Sequence, residues 1–290
     1  MKVAVLGPVT KDFVEIDGNL SYQIGGIPYY VAEALKALEV EKIVPYVTCG
    51  LEDNQWVKNS FTGLEVKCIK AEKTLESHIK YSSNKPDERK HYIKSYSNTI
   101  KPKEKLLKEL EDFDYVILGP LFHDNIPYEL FKKLKHKNLV LGNFGMFTYG
   151  EDGKFVRKNP EKMIEILPFI KYLFLDKNEA EFVSGKIAIN DIAQFFQNKG
   201  LDNIIITEGS KGSHLFISKN YYKISSFKPH KIIDTTGAGD TYLAAFIRAQ
   251  ELFNNPEEQG KFAAMVATMS LEEKGAFNKN LKEVLIRLKS

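Results

Sequence analysis

Cysteine is nearly absent from the 290 residues, Cys49 and Cys68 being the only two. A pair without companion ligands at metal-binding spacing excludes a disulfide framework and a cysteine-rich metal module, and reads as two reduced structural thiols. Long apolar runs are missing as well: none approaches the roughly 18 residues that a membrane span needs, and the segment from Met1 to Gly7 has no cleavable signal pattern. The expected location is the cytoplasm, with no membrane partner. Charge of one sign is also scarce, because the formal net charge is only +3 and Lys and Glu are interspersed, as in residues 101–105. Without a concentrated basic stripe, a nucleic-acid partner finds no support. Hydrophobic content of 43% with no extreme bias leaves an ordinary globule, either one large α/β domain or two small ones.

What is present centres on Asp234-Thr235-Thr236-Gly237-Ala238-Gly239-Asp240 and the apolar pattern behind it. Leu243, Phe246 and Ile247 share one face at helical spacing, which predicts a helix from about Asp240. The first N–H groups of a helix have no internal partner and the aligned peptide dipoles add positive charge there, so anions bind. Gly237, Ala238 and Gly239 carry almost no side chain to keep a phosphoryl group away. A carboxylate at the same place would repel a phosphate. Asp240 makes sense if it takes the proton from an attacking hydroxyl while the amides stabilise the transferring group. Read alone, the same residues make a glycine turn and a capping aspartate.

The whole run resembles the signature of the ribokinase-like sugar kinases, the PfkB family, in which it closes the phosphate site. The resemblance implies an ATP-dependent kinase with an α/β fold, a ribokinase-like three-layer αβα sandwich with a mostly parallel central sheet and a small β lid. It implies one domain over residues 1–290, with lid strands from about 13–25 and 75–97.

The order of residues along the chain fits that expectation. Residues 2–6 form an apolar run ending at Gly7-Pro8, which reads as a buried strand, and Asp12 follows it at the end where α/β sheets bind ligands. Gly7 to Asp12 also fits the family's G-x-x-x-x-D, whose aspartate binds acceptor hydroxyls. Residues 13–16 and 20–24 flank the turn Asp17-Gly18-Asn19, predicting a hairpin. Gly25-Gly26 then match the di-glycine at the family's substrate pocket and lid hinge, before a helix from Pro28. Ribose-binding members continue G-G-K-G-A-N, whereas here Tyr29 and Tyr30 bring flat surfaces suited to a ring face or to helix packing. Two half-polar runs, 75–81 and 91–96, separated by polar 82–90, read as lid strands with one wet face. In the family such lids can also join a homodimer.

From Glu104 onward, helices and apolar strands alternate as in a parallel sheet. Asn178 and Glu181 have the spacing of a helix-capping box; by resemblance they are the N-x-x-E element that positions magnesium and phosphates, Glu181 acting through water. Thr207, Gly209 and Gly212 match the family's nucleotide loop, and Gly275 its late glycine near adenine. Asp234 and Thr236 occupy the positions that hold potassium in relatives with this D-T-T run. Asn143 stands where members usually have Asp, and no Arg appears before Arg157. The implied acceptor is therefore an unphosphorylated sugar, cyclic polyol or nucleoside. The alternatives are a sugar-phosphate kinase of the same family and a non-catalytic metabolite-binding relative.

Overall fold

The computed structural model describes residues 1–82, 85–94, 96–142 and 145–289. Its first strand, β1 (Lys2–Pro8), is buried almost throughout, as an apolar strand covered on both faces must be. The chain leaves it for the hairpin β2 (Thr10–Ile16) and β3 (Asn19–Gly25), then returns through α1 (Ile27–Ala37) to β4 (Lys42–Cys49). Next, α2 (Asn54–Ser60) and β5 (Lys67–Lys70) precede a second excursion, β6 (Leu75–Ser82) and β7 (Lys85–Lys94). Regular alternation follows with α3 (Glu104–Leu110), β8 (Tyr115–Leu118), α4 (Tyr128–Lys133) and β9 (Asn138–Gly142). A short hairpin, β10 (Thr148–Glu151) and β11 (Lys154–Arg157), and α5 (Glu161–Ile164) lead to β12 (Tyr172–Asp176) and α6 (Lys177–Ser184). After α7 (Ile189–Gln197) and β13 (Asn203–Thr207), β14 (Ser213–Ile217) and β15 (Asn220–Ile224) turn back antiparallel. The helices α8 (Ala238–Leu252), α9 (Pro256–Ser270) and α10 (Leu281–Lys289) complete the chain.

Nine strands form the main sheet in the order β15-β14-β13-β12-β9-β8-β1-β4-β5, parallel from β13 to β5. Side chains alternate across it: Val3 and Val5 pack with Leu35, Phe246 and Phe262 on one face, while Ala4 and Leu6 pack with Leu110, Phe131 and Phe196 on the other. The result is the expected three-layer sandwich. Its parallel strands end together at the edge where β1 hands the chain to the lid, which is where open α/β sheets bind ligands.

The lid is a four-stranded sheet in the order β3-β2-β6-β7. Tyr22, Phe13, His78 and Tyr92 stand opposite one another across all of its strands and form one aromatic row. Asp12, Ser77 and Ile93, one residue along, point to the other side, toward the main sheet.

Two expectations need correction. α8 begins at Ala238 rather than about Asp240, because Gly237 takes a left-handed conformation (φ 74°) and caps the helix there. β7 begins at Lys85, so the polar stretch expected to be a loop is mostly strand; as an edge strand it pairs with β6 alone and has no need of an apolar pattern on two sides. The hairpin β10–β11 had no forecast.

Candidate active site

The side expected to hold the acceptor is built where the lid meets the main sheet. Asp12 is 6% exposed and hydrogen-bonded by Thr10 and Ser77, yet burial dominates and pushes its carboxyl up to about 6. Its neighbour must be glycine: a Cβ on Gly25 would stand 2.0 Å from Asp12 Oδ2. Asp12, Gly26, Tyr30, Ser77 and the run Gly237 to Asp240 line a cavity of about 290 Å³, and among the described residues no Lys or Arg lines it.

Tyr29 and Tyr30 divide the two roles foreseen for them. Tyr29 packs edge-on against Phe61 and Tyr30, as part of the core. Tyr30 is 3% exposed, and its hydroxyl has no hydrogen-bond partner among the described residues although it lines the cavity. A buried, unpaired hydroxyl costs on the order of 1–3 kcal/mol, so its position favours a ligand that can bond to it.

The start of α8 separates the acceptor side from the donor side. Its first intrahelical bond runs from Thr241 N–H to the Gly237 carbonyl at 2.8 Å, so the amides of Ala238 and Gly239 lie in the unpaired first turn. Asp240 and Gly239 line the acceptor cavity and also a second one of about 170 Å³, shared with Gly142, Asp176, Glu179 and Thr207. The Asp240 residue keeps partial exposure toward these spaces, but its carboxyl is enclosed, and desolvation pushes it up to about 7.

On the donor side, the capping box of α6 is not the one the spacing of Asn178 and Glu181 suggested. Asp176 Oδ1 accepts from Glu179 N–H at 2.7 Å, and Glu179 Oε2 accepts from Asp176 N–H at 3.0 Å. Asn178 and Glu181 are thereby left out of the cap. They line a third cavity of about 360 Å³ together with Asp176, Thr207, Gly209 and Lys211. Glu208 pairs there with Lys177 at 3.0 Å and Lys211 at 3.2 Å and contacts the His214 ring at 3.4 Å, and Lys177 first among them holds its carboxyl well below the usual range. Asp176 and Thr207 belong to both donor-side cavities, so the three spaces adjoin in sequence.

Glu179 was missed by sequence reasoning. It is 6% exposed, lies on the same cavity as Asp240, and is pushed up to about 8 by burial and then by Asp176. The hairpin β10–β11 brings Arg157 to within 4.0 Å of it. Thr10 and Ser77 were also missed; the sequence signal for both was the alternation that puts them on the inner face with Asp12. The Asp176-x-x-Glu179 spacing was a legible capping signal that the neighbouring Asn178-x-x-Glu181 obscured.

Thr236 lines the acceptor cavity, whereas Asp234, Gly212 and Gly275 lie outside all three. Asp234 Oδ1 accepts from Thr236 N–H at 2.9 Å and Oδ2 from Gly275 N–H at 3.4 Å, tying the loop before α8 to the loop after α9. Gly212 closes the turn between β13 and β14 through its carbonyl, which accepts from Glu208 N–H at 2.8 Å. Neither Gly212 nor Gly275 lines the three cavities. Asn143 lies outside the described residues, as does the side chain of Arg89.

Comparison with known proteins bears on this geometry. The model of the pfkB family carbohydrate kinases matches residues 53–283. A nucleoside kinase of Methanocaldococcus jannaschii is 33% identical over 144 residues, which is 50% of this chain and 44% of that protein. The match thus spans less than half of that curated relative. Among solved structures, ribokinase of Arabidopsis thaliana complexed with ribose and ATP superposes with a TM-score of 0.81 at 22% identity, covering 100% of this chain and 99% of that one. A pyrophosphate-dependent kinase of the ribokinase family, complexed with a pyrophosphate analog and myo-inositol, gives 0.79 at 23% identity, over 98% and 99%. The fold is the ribokinase-like fold.

Proposed function

The chain belongs to the pfkB family of carbohydrate kinases, and from that premise we propose that it transfers the γ-phosphoryl group of ATP to a hydroxyl of an unphosphorylated sugar, cyclic polyol or nucleoside. The observation that carries this reading is Asp240 at the wall common to the acceptor cavity and the adjoining donor-side cavity, beside the unpaired amides of the α8 start. An acceptor hydroxyl bound by Asp12 gives its proton to the Asp240 carboxylate as its oxygen bonds to the γ-phosphorus. The bond from that phosphorus to the bridging oxygen breaks, and ADP leaves with the electron pair. Amides of Ala238 and Gly239 stabilise the charge on the phosphoryl oxygens. Asn178 and Glu181, both oxygen-bearing and outside the helix cap, fit a hydrated magnesium ion, which would neutralise the phosphate chain and be held through water by Glu181. Thr207 and Gly209 are assigned to the nucleotide, with Gly212 and Gly275 supporting the loops around it.

Among the described residues no Lys or Arg lines the acceptor cavity, which supports a neutral acceptor, since a phosphate needs such groups to replace its hydration. Two lid lysines are occupied on the outer face, Lys80 by Glu15 at 2.5 Å and Lys94 by Glu76 at 2.9 Å. A coupled assay with magnesium and ATP, or pyrophosphate in its place, across free sugars, inositols, nucleosides and sugar phosphates tests the proposal. Activity on neutral acceptors with ATP is expected. Activity confined to sugar phosphates would overturn the acceptor reading, and turnover with pyrophosphate alone the donor reading.

Two further outcomes follow from the site. Asp12→Ala removes the charge that holds the acceptor hydroxyls and is expected to raise KM and lower kcat together; unchanged constants would remove Asp12 from the site. Asp234 and Thr236 are proposed to hold potassium beside the anion site, so the rate is expected to be higher in potassium than in a bulky organic cation at equal ionic strength, and equal rates would refute it. We take the chain as one domain and the outer lid face, where Tyr22 is 46% and Tyr92 50% exposed, as the surface of a homodimer.

A further inference from the structure

A cluster of positive charge lies away from this site. Lys58, Lys67, Lys70, Lys101, Lys103 and Lys105 line a groove of about 650 Å³ along the edge strand β5, with Glu109 the one carboxylate in its lining. The whole chain carries a net charge of only +3, so this groove alone holds a larger excess than the entire protein. Glu109 accepts from the Tyr46 hydroxyl at 3.1 Å, and Lys67 has the exposed Glu65 at 2.6 Å. Among the described residues, the other five lysines form no ion pair.

The sequence hides this cluster because its members come from three segments. Lys58 is on α2, Lys67 and Lys70 on β5, and the remainder alternate through residues 101–105, with Glu104 turned out of the groove. Gathering unpaired ammonium groups costs mutual repulsion, which a multivalent anion would relieve. Asn54 and Thr99 add polar groups to the walls, and Val66, Ile69 and Leu106 give an apolar floor. The volume is that of a small-molecule pocket rather than a long track for a nucleic acid.

The groove also touches both connections between the lid and the body. Lys70 ends β5 just before the chain rises into β6, and residues 99–103 follow its return from β7. The two connections are already tied, since Asn98 Nδ2 donates to the Lys73 carbonyl at 3.0 Å and Glu72 N–H to the Ser97 carbonyl at 3.4 Å.

We propose that this groove binds a compact polyphosphate anion, free or as the phosphate chain of a nucleotide, and that the bound anion straps together the two connections that carry the lid. Lys70 and Lys103 line the groove from the two connections and are the residues on which the strap depends. Trp56, the only tryptophan, stacks on Tyr22 of the lid at 5.1 Å, while Asn54 and Lys58 of the same helix line the groove. Its fluorescence therefore reports on the lid from the groove side.

Inorganic triphosphate titrated into the full chain by calorimetry tests the proposal, with the double variants Lys70→Glu/Lys103→Glu and Lys70→Arg/Lys103→Arg alongside. Both lysines are exposed, so the fold should tolerate the changes. The wild type is expected to show a binding event that the Glu variant weakens about tenfold or more and the Arg variant retains. Any binding at the donor site persists in all of them, which separates this outcome from the kinase reading. Identical isotherms for wild type and Glu variant would overturn the site. A change in Trp56 fluorescence that accompanies the event supports the strap, and its absence overturns that part. With triphosphate and ATP as parallel probes, tighter ATP binding identifies the nucleotide as the source, and equal binding the phosphate chain alone. Displacement by a duplex oligonucleotide at lower phosphate concentration would overturn the compact ligand.

Discussion

Asp240→Asn is expected to lower kcat by about 10²–10⁴-fold, the usual loss on removing a general base, while ATP still binds. The amide keeps the size and polarity of the side chain at the start of α8 but cannot accept the proton of the attacking hydroxyl. The same carboxyl sets the pH dependence. Desolvation pushes it up to about 7, so the rate of the wild type should climb as pH rises through about 7 and fall away below it. Stability should move the other way. A carboxyl with a raised folded pKa penalises the folded state once ionised; its contribution is most favourable below the ordinary value of 3.8 and is lost as pH rises toward about 7. The Asn variant escapes this cost. At pH 8 it should therefore be the more stable protein, by on the order of 2 kcal/mol after discounting for the residue's partial solvent access, and at pH 4 the advantage should vanish. Steady-state kinetics and thermal melts at the two pH values check both halves. Near-normal turnover would remove Asp240 as the base, and a variant less stable at pH 8 would remove the desolvation argument.

Local chemistry was legible in the sequence, and assembly at a distance was not. The run from Asp234 to Asp240 could be read because its parts lie in one turn: the glycine that caps, the amides that follow and the carboxylate are covalent neighbours. Asp12 could be placed for a similar reason, a few residues beyond the end of an apolar strand. The parallel strands of the main sheet followed from alternation of apolar runs with helices, whereas the antiparallel β14 and β15 did not. The capping spacing of Glu179 was legible but its place in the site was not, because its burial depends on packing around α6 and on a hairpin that no pattern announced, which returns Arg157 to it. The lysine groove was illegible for the opposite reason: its charges alternate with acids along the chain, and only the fold turns them to one side. Polar residues in β7 gave no strand signal, since pairing with β6 rather than burial makes that strand.

Gly237→Ala should damage both the anion site and the fold. The residue sits at φ 74°, where a Cβ costs about 1–2 kcal/mol. The added carbon would also stand 2.4 Å from the Tyr30 ring. That ring cannot retreat easily, being 3% exposed and packed against Tyr29, which in turn meets Phe61. The clash should instead move the start of α8, carrying the Ala238 and Gly239 amides off the line of the phosphoryl group. Loss of one such donor costs about 10²–10³-fold in kcat, and overpacking of this kind about 1–3 kcal/mol in stability. Adding Tyr30→Ala to Gly237→Ala relieves the contact but not the backbone strain, so the double variant should regain part of the stability expected from independent losses. Gly239→Ala is the control within the same turn. A Cβ there meets no atom within 4 Å, and the backbone is helical, so the protein should melt close to the wild type. Purified Gly237→Ala with wild-type kcat and melting temperature would show that neither the left-handed cap nor the Tyr30 contact positions the anion site.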